Sequence, residues 1–302
     1  MTEKISFNPI YIIGNTPLAD FLGAKLSLAG EDVYRLGTHN PDTTQTYTIK
    51  ESKTGQRYSA CLPSGNLMHH PAKMTIFCFD TNFLKADLAY FSSTKNNAAP
   101  IISFCYEDTE LLTKLIRDPI IPAYFNGYLS VEKKDTLIFT DSPNGIAVSL
   151  SEHHPFFHDI RQILAKTDIE LHFSENNQQN FWLHFIPETV CSLFLLQPQS
   201  RLKDLPKKAE FRQLLNTLID EINSIVPEEN RYNKNELISY IYTLPHDYIP
   251  HLIKDLKSGN KRVLSFVLST LQKQPAFNSV NAPIIFKTLR FQSRKALSLV
   301  EE

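Results

Sequence analysis

The sequence predicts an α/β domain over residues 1–175 followed by an all-α domain over 176–302. Three observations carry that prediction. Short apolar runs alternate with helical patterns in the first half, and from about 121 to 150 the text changes to the apolar–polar alternation of antiparallel strands. After Asn176 strand signals nearly stop, and successive segments carry apolar residues at helical spacing.

Taken in order, YIIG (11–14) reads as a buried strand. It leads into a helix over roughly 17–29, with Leu18, Phe21, Leu22, Leu26 and Leu28 available to pack. DVYRLGT is the second strand, and the polar stretch TYTIKES…GQRYSACL predicts a hairpin. KMTIFCFD (73–80) and APIISFCYE (99–107) are further buried strands, each followed by a helical pattern, LKADLAYFSS and DTELLTKLI. Strands alternating with helices imply a parallel sheet. IPAYFNGYLSVEKKDTLIFTDSPNGIAVSL then predicts antiparallel strands turning at SPNG, and HDIRQILAKTDIELHFSEN supplies one helix and a last strand. A long helix beginning near 177 joins this domain to the helical one.

Composition narrows the function. Lys plus Arg (31) nearly balance Asp plus Glu (32), and a formal net charge of −1 gives no bulk attraction to nucleic acid or to an anionic membrane. No apolar run approaches the roughly 18 residues of a membrane span, and MTEKISFNPI lacks the apolar core of a secretion signal, so a cytoplasmic protein is expected. Cys61, Cys78, Cys105 and Cys191 are widely spaced without C-x-x-C, which predicts reduced, mostly buried thiols. His69-His70 and His153-His154 with His158 lack a matched carboxylate or cysteine, and no metal site is expected.

The first strand–turn–helix is how a dinucleotide-binding βαβ unit begins, yet the turn reads G-N-T-P-L-A (14–19) instead of G-x-G-x-x-G. Gly14, Thr16 and Ala19 stand at the three fingerprint positions and are the candidate cofactor-binding residues. The Cβ and methyl of Thr16 occupy the approach that the second glycine leaves open to a pyrophosphate, and Pro17 removes a backbone N–H from the helix start. The same two residues also make a sound structural helix start, Thr16 as N-cap and Pro17 at the first helical position. A total of 9 glycines is low for a nucleotide-binding chain of this length.

Two further stretches, IELHFSENNQQNFWLHFIPETVCSL (169–193) and DLKSG (255–259), complete a pattern that resembles the ketopantoate reductase (2-dehydropantoate 2-reductase) family over almost the whole chain. The first is similar to the family's passage from last strand into first long helix, and the second to its Asp-Leu-x-x-Gly turn. The resemblance implies a Rossmann-like N-terminal domain, a helical C-terminal domain of the 6-phosphogluconate-dehydrogenase-like kind, NADP as cofactor, a small-molecule substrate in an interdomain cleft, and a homodimer.

The resemblance also marks where this chain departs from the family. A Trp stands two residues before the family's catalytic Lys; here Trp182 leads to His184, and Glu188 takes the place of the Asn four residues further on. His184 and Glu188 are therefore the positional equivalents of catalytic residues. A histidinium at 184 has the chemistry to protonate a developing alkoxide, Glu188 adds negative charge, and Pro187 is expected to disturb the helix. An ordinary helix residue is the plainer reading of His184. The family's catalytic Glu falls on Val263, and its substrate-binding Ser pair approximately on Pro250 and His251. Thr38 stands where a 2′-phosphate-binding Arg is expected, with Arg35 three residues earlier. Asp80 replaces a Lys after the third strand of the family pattern, and Tyr106, Glu107 and Asp108 replace its Asn-Gly. One like-charge pair about 4 Å apart at an effective dielectric near 20 repels by roughly 4 kcal/mol, so acidic strand ends oppose a phosphate.

Two functions follow. One is a ketopantoate-reductase-like protein that has lost 2-dehydropantoate reduction and NADPH binding and acts as a small-ligand-binding or interaction protein. The other is an active NAD(P)H-dependent reductase in which His184 replaces the Lys.

Overall fold

A computed structural model describes residues 8–36, 43–65, 71–78, 99–105, 112–113, 116, 119–133, 135–141, 145–246 and 248–298. Thr38, His69-His70, Asp80, Tyr106, Glu107, Asp108 and the helix expected at 84–93 lie outside these residues, as does most of the helix expected at 108–116. The chain divides into two compact units, Met1–Asn180 and Phe181–Glu302.

The first unit is built on one sheet. Its strands are β1 (Ile10–Ile13), β2 (Val33–Leu36), β3 (Thr44–Glu51), β4 (Arg57–Gly65), β5 (Met74–Phe77), β6 (Ile101–Ser103), β7 (Ile120–Phe125), β8 (Tyr128–Lys133), β9 (Thr136–Thr140), β10 (Ile146–Ser149) and β11 (Leu171–Ser174). They lie in the order β11-β10-β7-β6-β5-β1-β2-β4-β3-β9-β8. Within it, β4-β2-β1-β5-β6-β7 are parallel, which is the doubly wound order 3-2-1-4-5-6 of a Rossmann sheet. Every residue of β1 is buried: Ile10 and Ile12 face one apolar cluster, Tyr11 and Ile13 another. A strand covered on both faces reads as a continuous apolar run, which is how YIIG announced itself.

Helix α1 (Pro17–Leu28) packs on the first of these clusters through Phe21, Leu22 and Leu26, whereas Leu28, expected to pack, is 46% exposed. Gly23 permits the close approach. A Cβ there would lie 2.8 Å from Leu62 Cδ1.

The polar stretch at 44–65 is the expected hairpin, β3 antiparallel to β4. The antiparallel pairing expected across SPNG, most of which lies outside the described residues, is not formed: β9 pairs with β3 and β8, while β10 pairs with β7 and β11. Turn-forming residues bend the chain locally; which edge the next strand joins is decided by burial. Helix α2 (Phe157–Ala165) buries Phe157, Ile160, Ile163 and Leu164 and leads to β11.

Helix α3 (Asn177–Leu195) begins in the first unit and continues into the second. It runs unbroken through Pro187, against the expectation of a disturbance. Proline deletes one backbone donor, and the burial of Phe185, Ile186, Val190 and Phe194 on either side outweighs that loss. The second unit continues with α4 (Ala209–Ile225), α5 (Lys234–Thr243), α6 (His251–Lys257), α7 (Arg262–Gln272) and α8 (Pro283–Ser298) around one apolar cluster. Among the described residues, no helix is long and apolar enough to cross a membrane.

Candidate functional site

In an open α/β sheet, ligands bind outside the carboxyl ends of the strands where the strand order reverses. Here that point lies at the ends of β1 and β5, and the turn after β1 brings Gly14, Thr16 and Ala19 together there. Gly14 sits at φ 146 with its N–H on the Leu36 carbonyl (3.2 Å). Thr16 caps α1, accepting from the Ala19 N–H at 3.4 Å, and Pro17 occupies the first helical position.

The Thr16 hydroxyl also donates to the carbonyl of Cys78, just after β5, at 2.6 Å. The side chain that replaces the second glycine of the fingerprint thus spans the switch point from β1 to β5. Burial pushes the Cys78 thiol well above its usual range and keeps it protonated.

Two residues outside the fingerprint complete this corner. Arg35 is only 2% exposed, and its guanidinium donates twice to Asp20 Oδ1, from Nη2 at 2.5 Å and Nε at 3.0 Å. Its Nη1 donates to the Gly14 carbonyl at 2.7 Å. Asp20 lies in the first turn of α1, and burial raises its carboxyl pKa even with the guanidinium beside it. The cation at the end of β2 is therefore bound inward, to the helix and to the turn. Sequence reasoning missed this pair, although a lone Arg in the otherwise apolar strand VYRL was a signal for it.

His184 and Glu188 lie one turn apart on α3, so they share a helix face. His184 is half-buried, and desolvation of its ring, partly offset by the Glu188 charge, pushes its pKa down to about 4. Its resting form at neutral pH is the imidazole. Trp182, two residues earlier, is buried with its indole N–H lacking a partner among the described residues.

Glu188 makes two contacts. One oxygen accepts from the Tyr248 hydroxyl, and the other from the backbone N–H of His251, the first residue of α6, at 2.5 Å. Burial first, with the Glu188 charge adding to it, raises the pKa of Tyr240, Tyr248 and Cys191, so neutral groups surround this carboxylate. Val263 is buried in the core on α7, and its N–H donates to Asp255 Oδ2 at 3.3 Å. The Asp of Asp-Leu-x-x-Gly thus closes the start of the following helix. His251 is exposed. No group of three His, Cys, Asp or Glu among the described residues is arranged to hold a metal ion, and His153 and His158 are exposed.

No family model matches this sequence, and none of the curated proteins matches it. Solved structures do. A 2-dehydropantoate 2-reductase from Geobacter metallireducens is similar with a TM-score of 0.72 at 12% identity, over 95% of this chain and 99% of that one. A D-mandelate dehydrogenase in complex with NADH and anilino(oxo)acetate is similar with a TM-score of 0.71 at 12% identity, over 95% and 99%. A dimeric ketopantoate reductase from Staphylococcus aureus gives 0.66 at 13%, over 95% and 99%. The chain therefore has the fold of ketopantoate reductases: a Rossmann-like domain followed by a helical one.

Proposed function

We propose that the chain is a divergent, cytoplasmic ketopantoate-reductase-like protein that has lost 2-dehydropantoate reduction and NADPH binding and acts as a small-ligand-binding or interaction protein. The observation that carries this reading is the corner at the end of β1. A hydroxyl bonded to the Cys78 carbonyl stands where a dinucleotide turn needs open backbone, and the nearby guanidinium is held by Asp20 and the Gly14 carbonyl. A pyrophosphate brought there meets a methyl-bearing side chain, and the nearest cation is already paired with Asp20. These residues do not fit an NADP phosphate. The helical unit supports the same reading. His184 is neutral, Glu188 is held by a tyrosine and a helix start, and Val263 has no polar atom with which to bind substrate.

Titration of the chain with NADPH and NADH, followed by calorimetry, tests the proposal: no binding at millimolar cofactor is expected, and a micromolar Kd overturns it. A second reading, an active NAD(P)H-dependent reductase, draws on the likeness to the NADH-bound D-mandelate dehydrogenase. On that reading the cofactor binds, and His184→Ala removes turnover while leaving binding intact. The dimeric state of the Staphylococcus aureus reductase supports a homodimer on either reading.

A further inference from the structure

The edge of the sheet at β11 forms one wall of a groove of about 540 Å³. Strand β11 ends the strand order and pairs, among the described residues, with β10 alone. The N–H groups of Ile146 and Leu150 donate to the carbonyls of Glu170 (2.8 Å) and Ser174 (2.9 Å). Backbone groups alternate in direction along a strand, so those of Leu171 and Phe173 point away from β10 toward the open edge.

The opposite wall is a stripe of α2, Phe157, Arg161 and Ala165, spaced four residues apart on one helix face. Its apolar floor is fixed by Phe157 and Phe173, whose rings meet edge-on with centroids 4.9 Å apart. Gly145 lets β10 start this close to β11, because a Cβ there would lie 2.0 Å from the Glu170 carbonyl oxygen. The walls are rigid secondary structure joined by a tight turn at Asp168, which holds φ 58.

The two ends of the sheet differ. At β8 the register shifts between Val131 and Lys133, and Glu132 is paired with Lys50 at 3.1 Å. Both devices discourage strand addition. Strand β11 runs in unbroken register with β10, beside a groove wide enough to take side chains.

Charge selects the occupant. Glu152, Asp168 and Glu170 are exposed around the groove, Glu170 with an oxygen 3.5 Å from His172 Nε2, and Arg161 is the Lys or Arg among its lining residues. The unit that carries the groove holds 20 Asp and Glu against 15 Lys and Arg. An anionic small molecule is disfavoured in such a field, and a cationic chain is drawn to it.

We propose that this groove binds a short extended segment of another protein, carrying Lys or Arg between apolar residues, as an added strand along β11. Its backbone pairs with Leu171 and Phe173. Alternate apolar side chains lie between β11 and α2, and its cations meet the three carboxylates. The site goes beyond the function proposed above: none of its residues belongs to the turn at 14–20 or to α3, and it holds or fails whether or not a dinucleotide binds.

Fluorescence anisotropy of the full chain with a labelled octapeptide of alternating Val and Lys tests it. Saturable binding is expected. It is weakened at least tenfold when alternate peptide amides are N-methylated in either register, when Lys is replaced by Glu, or by Ala165→Arg, which fills the exposed helix wall. Glu170→Lys, also exposed, is expected to weaken it about fivefold and serves if Ala165→Arg perturbs folding by circular dichroism. No saturable binding at millimolar peptide, or equal binding by the N-methylated peptides or the variants, overturns the proposal. So does a result in which the peptide fails to bind and Ala165→Arg converts a dimer to a monomer, since the groove then holds a second copy of this chain.

Discussion

Helix α1 and three helices of the second unit meet the same electrostatic need in opposite ways. Each begins with backbone N–H groups that lack an intrahelical partner. Helix α1 takes its cap from the adjoining residue, Thr16. Helices α6, α7 and α8 take theirs from carboxylates on other helices: Glu188 of α3 on the His251 N–H, Asp255 of α6 on the Val263 N–H, and Glu221 of α4 on the N–H groups of Ile284 (3.1 Å) and Ile285 (2.9 Å). Pro250 and Lys261, which precede α6 and α7, provide no side-chain cap, although Asn260 Oδ1 also accepts from the Arg262 N–H at 3.1 Å. A local cap secures one helix; a remote carboxylate also ties two helices together and adds a full charge at the positive end of the dipole. The comparison gives Glu188, which stands at a position the resemblance marked as functional, a structural task, and gives one to Asp255 of the Asp-Leu-x-x-Gly turn.

The comparison can be broken most directly at Glu221, which is 6% exposed and serves two donors. Glu221→Ala strips the acceptor from the buried Ile285 N–H and the half-buried Ile284 N–H and is expected to destabilise the fold by about 3 kcal/mol in urea unfolding. A loss below that of Thr16→Ala would show that remote capping contributes less than local capping.

His184 sharpens the comparison through pH, because it lies beside Glu188. Its folded pKa, about 4, lies below the 6.5 of an ordinary imidazole, so the unfolded chain binds the proton more readily between these values. Stability from this residue is therefore full above the unfolded pKa and falls as pH drops from 6.5 toward 4. The expected loss between pH 7 and pH 5 is roughly 2 kcal/mol. Urea unfolding at both pH values checks it: His184→Gln should flatten the dependence by that amount, and an unchanged slope would refute the assignment.

The smallest effect belongs to the local cap. Thr16→Ala removes one N-cap bond and the bond to the Cys78 carbonyl, and is expected to cost about 1–2 kcal/mol by thermal unfolding. Its helix should otherwise persist, since Phe21, Leu22 and Leu26 still bury the same face.

The parts of the fold that were legible are those whose signals are short in sequence. The buried strand at 10–13, the Thr16-Pro17 helix start, the hairpin at 44–65 and the helical character beyond Asn176 all follow from neighbours a few residues apart. The candidate residues at the turn were located from spacing as well. Their partners were not: Thr16 bonds a carbonyl 62 residues away, and Glu188 bonds Tyr248 and His251, 60 and 63 residues away. Pro187 misled because propensity describes an isolated helix, whereas α3 is held by its apolar surroundings. The pairing expected across SPNG misled because turn-forming residues specify no pairing partner.

By itself the sequence determined the class of the two domains and the position of the glycine turn, because apolar periodicity and capping act over three or four residues. Tertiary structure alone decided that Arg35 serves Asp20 and the Gly14 carbonyl, that His184 is neutral, and that Glu188 closes a helix. Burial and charge pairing depend on residues that folding brings together from distant parts of the chain, and a side chain acquires its chemical role only when those neighbours surround it.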